Sequence, residues 1–256
     1  MAVAKIRLIT RRQNIAAQND TEVTELETKT EQPIPNTQSK TLVVFAQIVS
    51  YICHPVFFPL VMAYALYKLS PADFASVPPK QIGLWFLSIA ITGVFFPLFS
   101  ILIMKPLDFI SSYHMHTAKE RTIPLMAIMI FYFWVSHAFN NMGIPTPLNP
   151  NPGSVPPLIY KVLLLGNFWG IILLFLVNIF TKISMHTAAA GAMIGIIIVM
   201  MIISPTNMIM PLLVSIIIAG IIGTARMILG AHQRGDIWLG YIIGILVQLG
   251  AYVYMK

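Results

Sequence analysis

From Thr41 onward, apolar runs recur along the chain, separated by short polar stretches. Each is close to the roughly 20 residues needed to cross a hydrocarbon core of about 30 Å. Seven such runs stand out: 41–68, 81–104, 123–142, 157–180, 187–203, 206–226 and 237–255. They predict helices, because a spanning helix satisfies its own backbone where no water is present. The first run contains His54, Pro55 and Pro59, so a kink or re-entrant break is expected there. Only Ser204-Pro205 separates the fifth run from the sixth, which predicts a tight hairpin. The Pro- and Asn-rich stretch 145–157 predicts an exposed loop. The expected fold class is all-α, a polytopic transmembrane helical bundle of six to seven spans.

Residues 1–40 break the pattern. Lys5, Arg7, Arg11, Arg12, Lys29 and Lys40 alternate with Asp20, Glu22, Glu25, Glu27 and Glu31. The segment is too polar to bury a core, so a disordered tail is expected. It lacks the apolar stretch of a signal peptide and is expected to be retained. Two units follow: a tail over 1–40 and a membrane domain over 41–256.

Composition supports this division. Hydrophobic residues make up 57% and charged residues 10%, against about 25% charged in soluble domains. Mean hydropathy is +0.79. The net charge of +7 does not indicate nucleic acid, because the basic residues are dispersed over loops between apolar runs. The one cysteine, Cys53, excludes an intramolecular disulfide and a multi-cysteine metal site.

Seven crossings place the N-terminal tail and the loops 105–122, 181–186 and 227–236 on one side of the membrane. That side carries twelve Lys or Arg residues and the other carries Lys68, Lys80, Lys161 and Lys256. The positive-inside rule makes the richer side cytoplasmic, in a bacterial inner membrane.

Ionisable residues beside membrane spans are functional candidates, and three clusters fall on the richer side. The sharpest holds Arg226, His232 and Asp236. His232 and Asp236 are four residues apart and can meet on a helix or tight turn. A carboxylate on one imidazole nitrogen would raise the basicity of the other and make it a nucleophile toward phosphorus. Arg226 offers a planar fork for phosphate oxygens. Singly, Arg226 could complement a helix C-terminus and Asp236 could cap the last helix. The second cluster is Lys182, Ser184 and His186. Ser184 suits an N-cap whose helix presents free N–H groups to an anion, and His186 could act on a leaving oxygen. The run Ala188–Ala192 is expected to be a helix-packing face. The third cluster is Lys119 and Arg121, with His114 and His116 nearby at surface or interfacial positions. His137, Asn140 and Asn141 are expected to hydrogen-bond between helices at the opposite side.

These clusters resemble the type 2 phosphatidic acid phosphatase superfamily, which includes the vanadium haloperoxidases. Its motifs are Lys-x6-Arg-Pro, Pro-Ser-Gly-His and Ser-Arg-x5-His-x3-Asp. The third matches at Arg226, His232 and Asp236, with Ala225 at the serine position. The second matches at Ser184 and His186, with Ile183 and Met185 replacing proline and glycine. At the first, His114 stands where the lysine would be, and the nearest proline is Pro124. The resemblance spans about 119–240.

The resemblance implies the superfamily's helical core. It also implies metal-independent hydrolysis through a phosphohistidine on His232, oriented by Asp236. His186 would protonate the leaving oxygen and then activate water. Arg226, Arg121, Lys119 and Ser184 would hold the phosphate oxygens, and no cofactor is implied. A site at a bilayer interface suits a lipid phosphate: phosphatidic acid, phosphatidylglycerol phosphate, a polyprenyl pyrophosphate or a lipid A phosphate. The competing readings are a lipid phosphotransferase and a non-catalytic transporter or scaffold on the same frame.

Overall fold

The structure, a computed structural model, describes residues 39–110, 112–113, 118–145 and 153–256; the side chains of Ala118 and Lys119 lie outside that description. The described residues are helical, with no strand. Among the described residues, nine α-helices run in the order α1 (Lys40–Ile52), α2 (Phe58–Leu69), α3 (Pro79–Ala90), α4 (Phe96–Met104), α5 (Ala118–Asn141), α6 (Leu158–Asn178), α7 (Met185–Ile203), α8 (Ile209–Ile228) and α9 (Arg234–Met255). They make seven helices long and apolar enough to cross a membrane, with α1–α2 and α3–α4 each forming one span. The chain is an integral membrane protein with an all-α, polytopic bundle. The tail expected over 1–40 lies almost wholly outside the described residues, as do His114, His116 and most of the expected loop.

The break in the first span falls where the prolines are. Helix α1 ends at Ile52, and a 3₁₀ turn over Pro55–Phe57 leads into α2. Pro55 and Pro59 lack the N–H donors that a continuous helix would need there. His54 caps the turn, its Nδ1 accepting from Val56 N at 3.4 Å. The second span carries a π turn over Ile91–Phe95 just before Pro97. The connection between α7 and α8 is longer than a two-residue hairpin. Ser204 Oγ accepts from Thr206 N (3.2 Å) and Asn207 Oδ1 from Ile209 N (2.9 Å). These side chains satisfy the backbone outside helical geometry and hold residues 204–208 as a loop.

Lipid tails are as apolar as leucine, so close packing rather than water exclusion joins the spans. The tightest seam joins α7 to α9. Gly240 lies against Ser184 and Thr187, Gly244 against Ala188, Gly191 and Ala192, and Gly195 against Ile245 and Gln248. Rising numbers meet rising numbers, so the two helices run parallel with both N-termini at one end. The expected packing face at Ala188–Ala192 is this seam. A second core, around Trp85, Phe139, Tyr160 and Leu66, joins α2, α3, α5 and α6. There the Tyr160 hydroxyl donates to the Ala63 carbonyl at 2.6 Å. Midway along the bundle, Gln248 Nε2 donates to Asn167 Oδ1 at 3.0 Å, and both residues are buried. Outward faces carry exposed apolar residues such as Phe45, Ile48, Leu213 and Ile217, as lipid contact requires.

Candidate active site

Helix α8 delivers Arg226 in its last turn. The chain then reverses through Gly230, whose φ of 62° lies in the left-handed region open to glycine. Gly230 N donates to Met227 O (3.0 Å) and Ala231 N to Arg226 O (3.2 Å), closing the helix end. This turn brings His232 back beside Arg226. Helix α9 starts at Arg234, earlier than the apolar run implies, because Gln233 and Asp236 form a capping box. Gln233 N donates to Asp236 Oδ2 at 3.1 Å.

Asp236 therefore caps the last helix and also faces the histidine. Its Oδ2 stands 3.6 Å from His232 Nδ1, close enough for an ion pair but outside hydrogen-bond range. Among the described residues, Nδ1 has no hydrogen-bond partner. The expectation that Asp236 raises the basicity of His232 is corrected here: the imidazole is pushed down to about 3. Burial is the main cause, followed by the charges of Arg226, Arg121 and Lys182, while a hydrogen bond to the Lys182 backbone opposes them. The side chain is only 4% exposed. His232 is thus a neutral ring at neutral pH.

The second cluster meets the first. Ser184 is the N-cap of α7 and is fully buried; its hydroxyl accepts from Thr187 N at 3.4 Å. What Ser184 offers a ligand is the helix end it caps. Two residues on, His186 Nε2 lies 3.1 Å from the carbonyl of Ser50 in α1. A carbonyl only accepts, so Nε2 carries the proton and Nδ1 the lone pair. Arg226 Nη1 donates to the hydroxyl of the same Ser50 at 2.6 Å. The electrostatic neighbours of His186 include Arg226, His54 and His232. From the third cluster, Arg121 is buried, within electrostatic reach of Asp236 and Arg226. Lys119, expected to hold phosphate, has its side chain outside the described residues.

His232, His186, Asp236, Arg226, Arg121 and Ser184 thus come together at one end of the bundle, drawn from α5, the α7 start, α8 and the α9 start. The sequence reading missed two contributors, Ser50 and His54. The His54 ring packs edge-on against His186, with centroids 5.5 Å apart. An ionisable side chain inside an apolar run was the available signal for His54, and the prolines around it masked that signal as a kink. Ser50 carried no signal, since a lone serine in a membrane helix is common.

A cavity of about 310 Å³ reaches into the bundle from this cluster. His54, Arg121 and His186 line it together with Asn167 and Tyr132, residues such as Leu98, Ile128, Ile171 and Val247 give it an apolar wall, and His232, Arg226 and Asp236 lie outside its lining. Its volume sits at the low end of ligand pockets, about 300–1,000 Å³. Two parallel helix N-termini, three cations acting on one neutral histidine, and an adjoining apolar cavity suit an anion carrying a hydrocarbon chain. No protein-family model, curated protein or solved structure matches the chain.

Proposed function

We propose that the chain is a membrane lipid phosphatase that works through a phosphohistidine on His232. The observation that carries the reading is the meeting of three clusters far apart in sequence around a buried, neutral imidazole flanked by Arg226 and Arg121. The spacing of Arg226, His232 and Asp236, which resembles the type 2 phosphatidic acid phosphatases, supports the same reading. In this mechanism an uncharged His232 nitrogen attacks phosphorus as the P–O bond to the lipid breaks, and the electron pair leaves on the lipid oxygen, which takes a proton from water. Arg226 and Arg121 offset charge on the equatorial oxygens as it develops. Asp236 stabilises the imidazolium formed when the ring is phosphorylated, the moment at which a carboxylate 3.6 Å away gains most. His186 Nδ1 then takes a proton from the water that hydrolyses the phosphohistidine. The apolar cavity takes the lipid chain, and the excess of Lys and Arg on this side supports a reaction at the cytoplasmic face.

The test uses purified chain in detergent with a panel of lipid phosphates and EDTA present. Released phosphate is expected from the wild type, with loss of at least a hundredfold in His232→Ala, the scale of a missing nucleophile. Equal release from both proteins, or none from either on any substrate, refutes the proposal.

A further inference from the structure

We infer that the cavity carries a second recognition point, a hydroxyl-binding site at Asn167 and Gln248, whose ligand is an anionic amphiphile with a hydroxyl group well down its chain. The inference rests on the phosphatase reading for the head group and adds what meets the tail.

Two side-chain amides stand deep in the apolar bundle. Asn167, on α6, is 8% exposed, and Gln248, on α9, is fully buried. Gln248 Nε2 donates to Asn167 Oδ1 at 3.0 Å. Among the described residues, that bond leaves Asn167 Nδ2 and Gln248 Oε1 each without a hydrogen-bond partner. Asn167 lies nine residues after Leu158 and eleven before Asn178, so the ends of its helix are about 14 and 16 Å away along the axis. Away from water, a stranded amide keeps its desolvation penalty until a partner arrives.

Both amides border the cavity. Asn167 lines it, as does Gly166. A Cβ on Gly166 would lie 2.5 Å from Gln248 Oε1, so this oxygen covers a residue of the cavity wall. The two unpaired atoms are of opposite kind, a donor and an acceptor. A hydroxyl suits both, because its oxygen accepts from Asn167 Nδ2 and its hydrogen goes to Gln248 Oε1. A carbonyl or ether oxygen could meet only the first, and a hydrocarbon neither. Interchanging oxygen and nitrogen in both amides reverses the bond between them and leaves an acceptor on Asn167 and a donor on Gln248, which a hydroxyl meets equally.

Depth fixes where on the ligand this hydroxyl stands. Arg121 and His186 line the same cavity, and its wall follows one face of α6 from Leu174 through Gly170 to Asn167. Gln248 lies twelve residues beyond Asp236 on α9, about 18 Å along the axis. A polar contact at each end takes about 3 Å, which leaves roughly 12 to 18 Å of chain. At about 1.2 Å per bond in an extended chain, the hydroxyl sits roughly ten to fifteen bonds from phosphorus. Oxygens beside the head group are too near it to reach Asn167.

The test titrates the full chain in detergent, by calorimetry, with phosphonates, which carry the anionic head but no cleavable P–O bond to the chain. In 11-hydroxyundecylphosphonate the hydroxyl oxygen is twelve bonds from phosphorus, and dodecylphosphonate is its isostere with a methyl group there. The ratio of their affinities, hydroxyl over methyl, is compared between the wild type and the double variant Asn167→Leu with Gln248→Leu, which removes both amides and strands neither. Partitioning into detergent is common to both proteins and cancels. The ratio is expected to be roughly tenfold or more higher in the wild type, the scale of two hydrogen bonds. With 3-hydroxydodecylphosphonate, whose hydroxyl lies beside the head, no such difference is expected. Equal ratios in the two proteins mean that water serves the amides as well as a hydroxyl does, and overturn the inference. An equal gain from the 3-hydroxyl probe overturns it too, and either result leaves the phosphatase reading intact. Binding of no phosphonate by the wild type removes that reading and the inference with it. The wild type labelled with ¹⁵N-asparagine gives a second readout that does not depend on the variant folding. The side-chain amide signals of Asn167 are expected to move with 11-hydroxyundecylphosphonate and to stay in place with dodecylphosphonate; identical spectra with the two overturn the inference.

Discussion

The parallel seam between α7 and α9 fixes the distance between the two halves of the site, and Gly244 lies within it. A Cβ at this position would lie 2.5 Å from Ala192 N and 2.8 Å from the Gly191 carbonyl carbon, with the Ala188 carbonyl oxygen nearer still. Ordinary contact begins at 3.4 Å. Gly244→Ala must therefore part the helices by about 1 Å, since backbone cannot rotate away as a side chain can. Overpacking of this kind costs about 1–3 kcal/mol. It also moves His186 on α7 away from His232 before α9, and a displacement of about 1 Å costs on the order of 100-fold in rate. Gly220→Ala is the matched control, because nothing lies within 4 Å of its Cβ. That substitution is expected to be neutral or to stabilise by up to about 1 kcal/mol through helix propensity. Reversible unfolding in mixed micelles gives the stabilities, and single-turnover phosphate release gives the rates. If Gly244→Ala matches Gly220→Ala in both, the seam does not position the site.

Three further outcomes are expected. His232 stays neutral well below the usual histidine range, so ¹⁵N spectra of the folded protein show no protonation of this ring between pH 8 and 5. Its folded value lies below its unfolded value, so this group costs nothing above about 6.5 and destabilises the fold as pH falls from there toward 3. A midpoint near 6.5 in the folded protein would contradict the burial described for it. Arg226→Ala weakens orthovanadate binding by roughly 10- to 100-fold, the scale of a charge-assisted hydrogen bond, as titration calorimetry would show. Gln248→Leu costs about 1–3 kcal/mol by stranding the Asn167 amide, whereas adding Asn167→Leu recovers part of that loss in the same unfolding assay.

The seven spans were legible because twenty-residue apolar runs have few other fates. The α7–α9 seam was half legible: Ala188–Ala192 read as a packing face, but its partner glycines, Gly240 and Gly244, lie on a helix with ordinary apolar patterning. Helix boundaries slipped where side chains replace backbone partners, as Ser204 and Asn207 do before α8 and Gln233 does before α9. The gathering of Arg226, His232, His186 and Arg121 followed from counting crossings, which fixes the membrane side of each loop. The basicity of His232 did not follow. Spacing showed that Asp236 can approach the ring, but burial and three converging cations are sums over the fold, and they outweigh one carboxylate. Ser50 and His54 escaped for a related reason: their roles exist only once α1 and the turn after it pack against α8 and the start of α7.

The phosphohistidine itself is the most direct test of the account. Wild-type chain mixed with a ³²P-labelled lipid phosphate and quenched in alkali, where phosphohistidine survives, would be digested and mapped by mass spectrometry. The label is expected on His232, absent in His232→Ala, and lost on chase with unlabelled substrate at the rate of turnover. Turnover without label on His232, or label on another residue that persists in the variant, would contradict it.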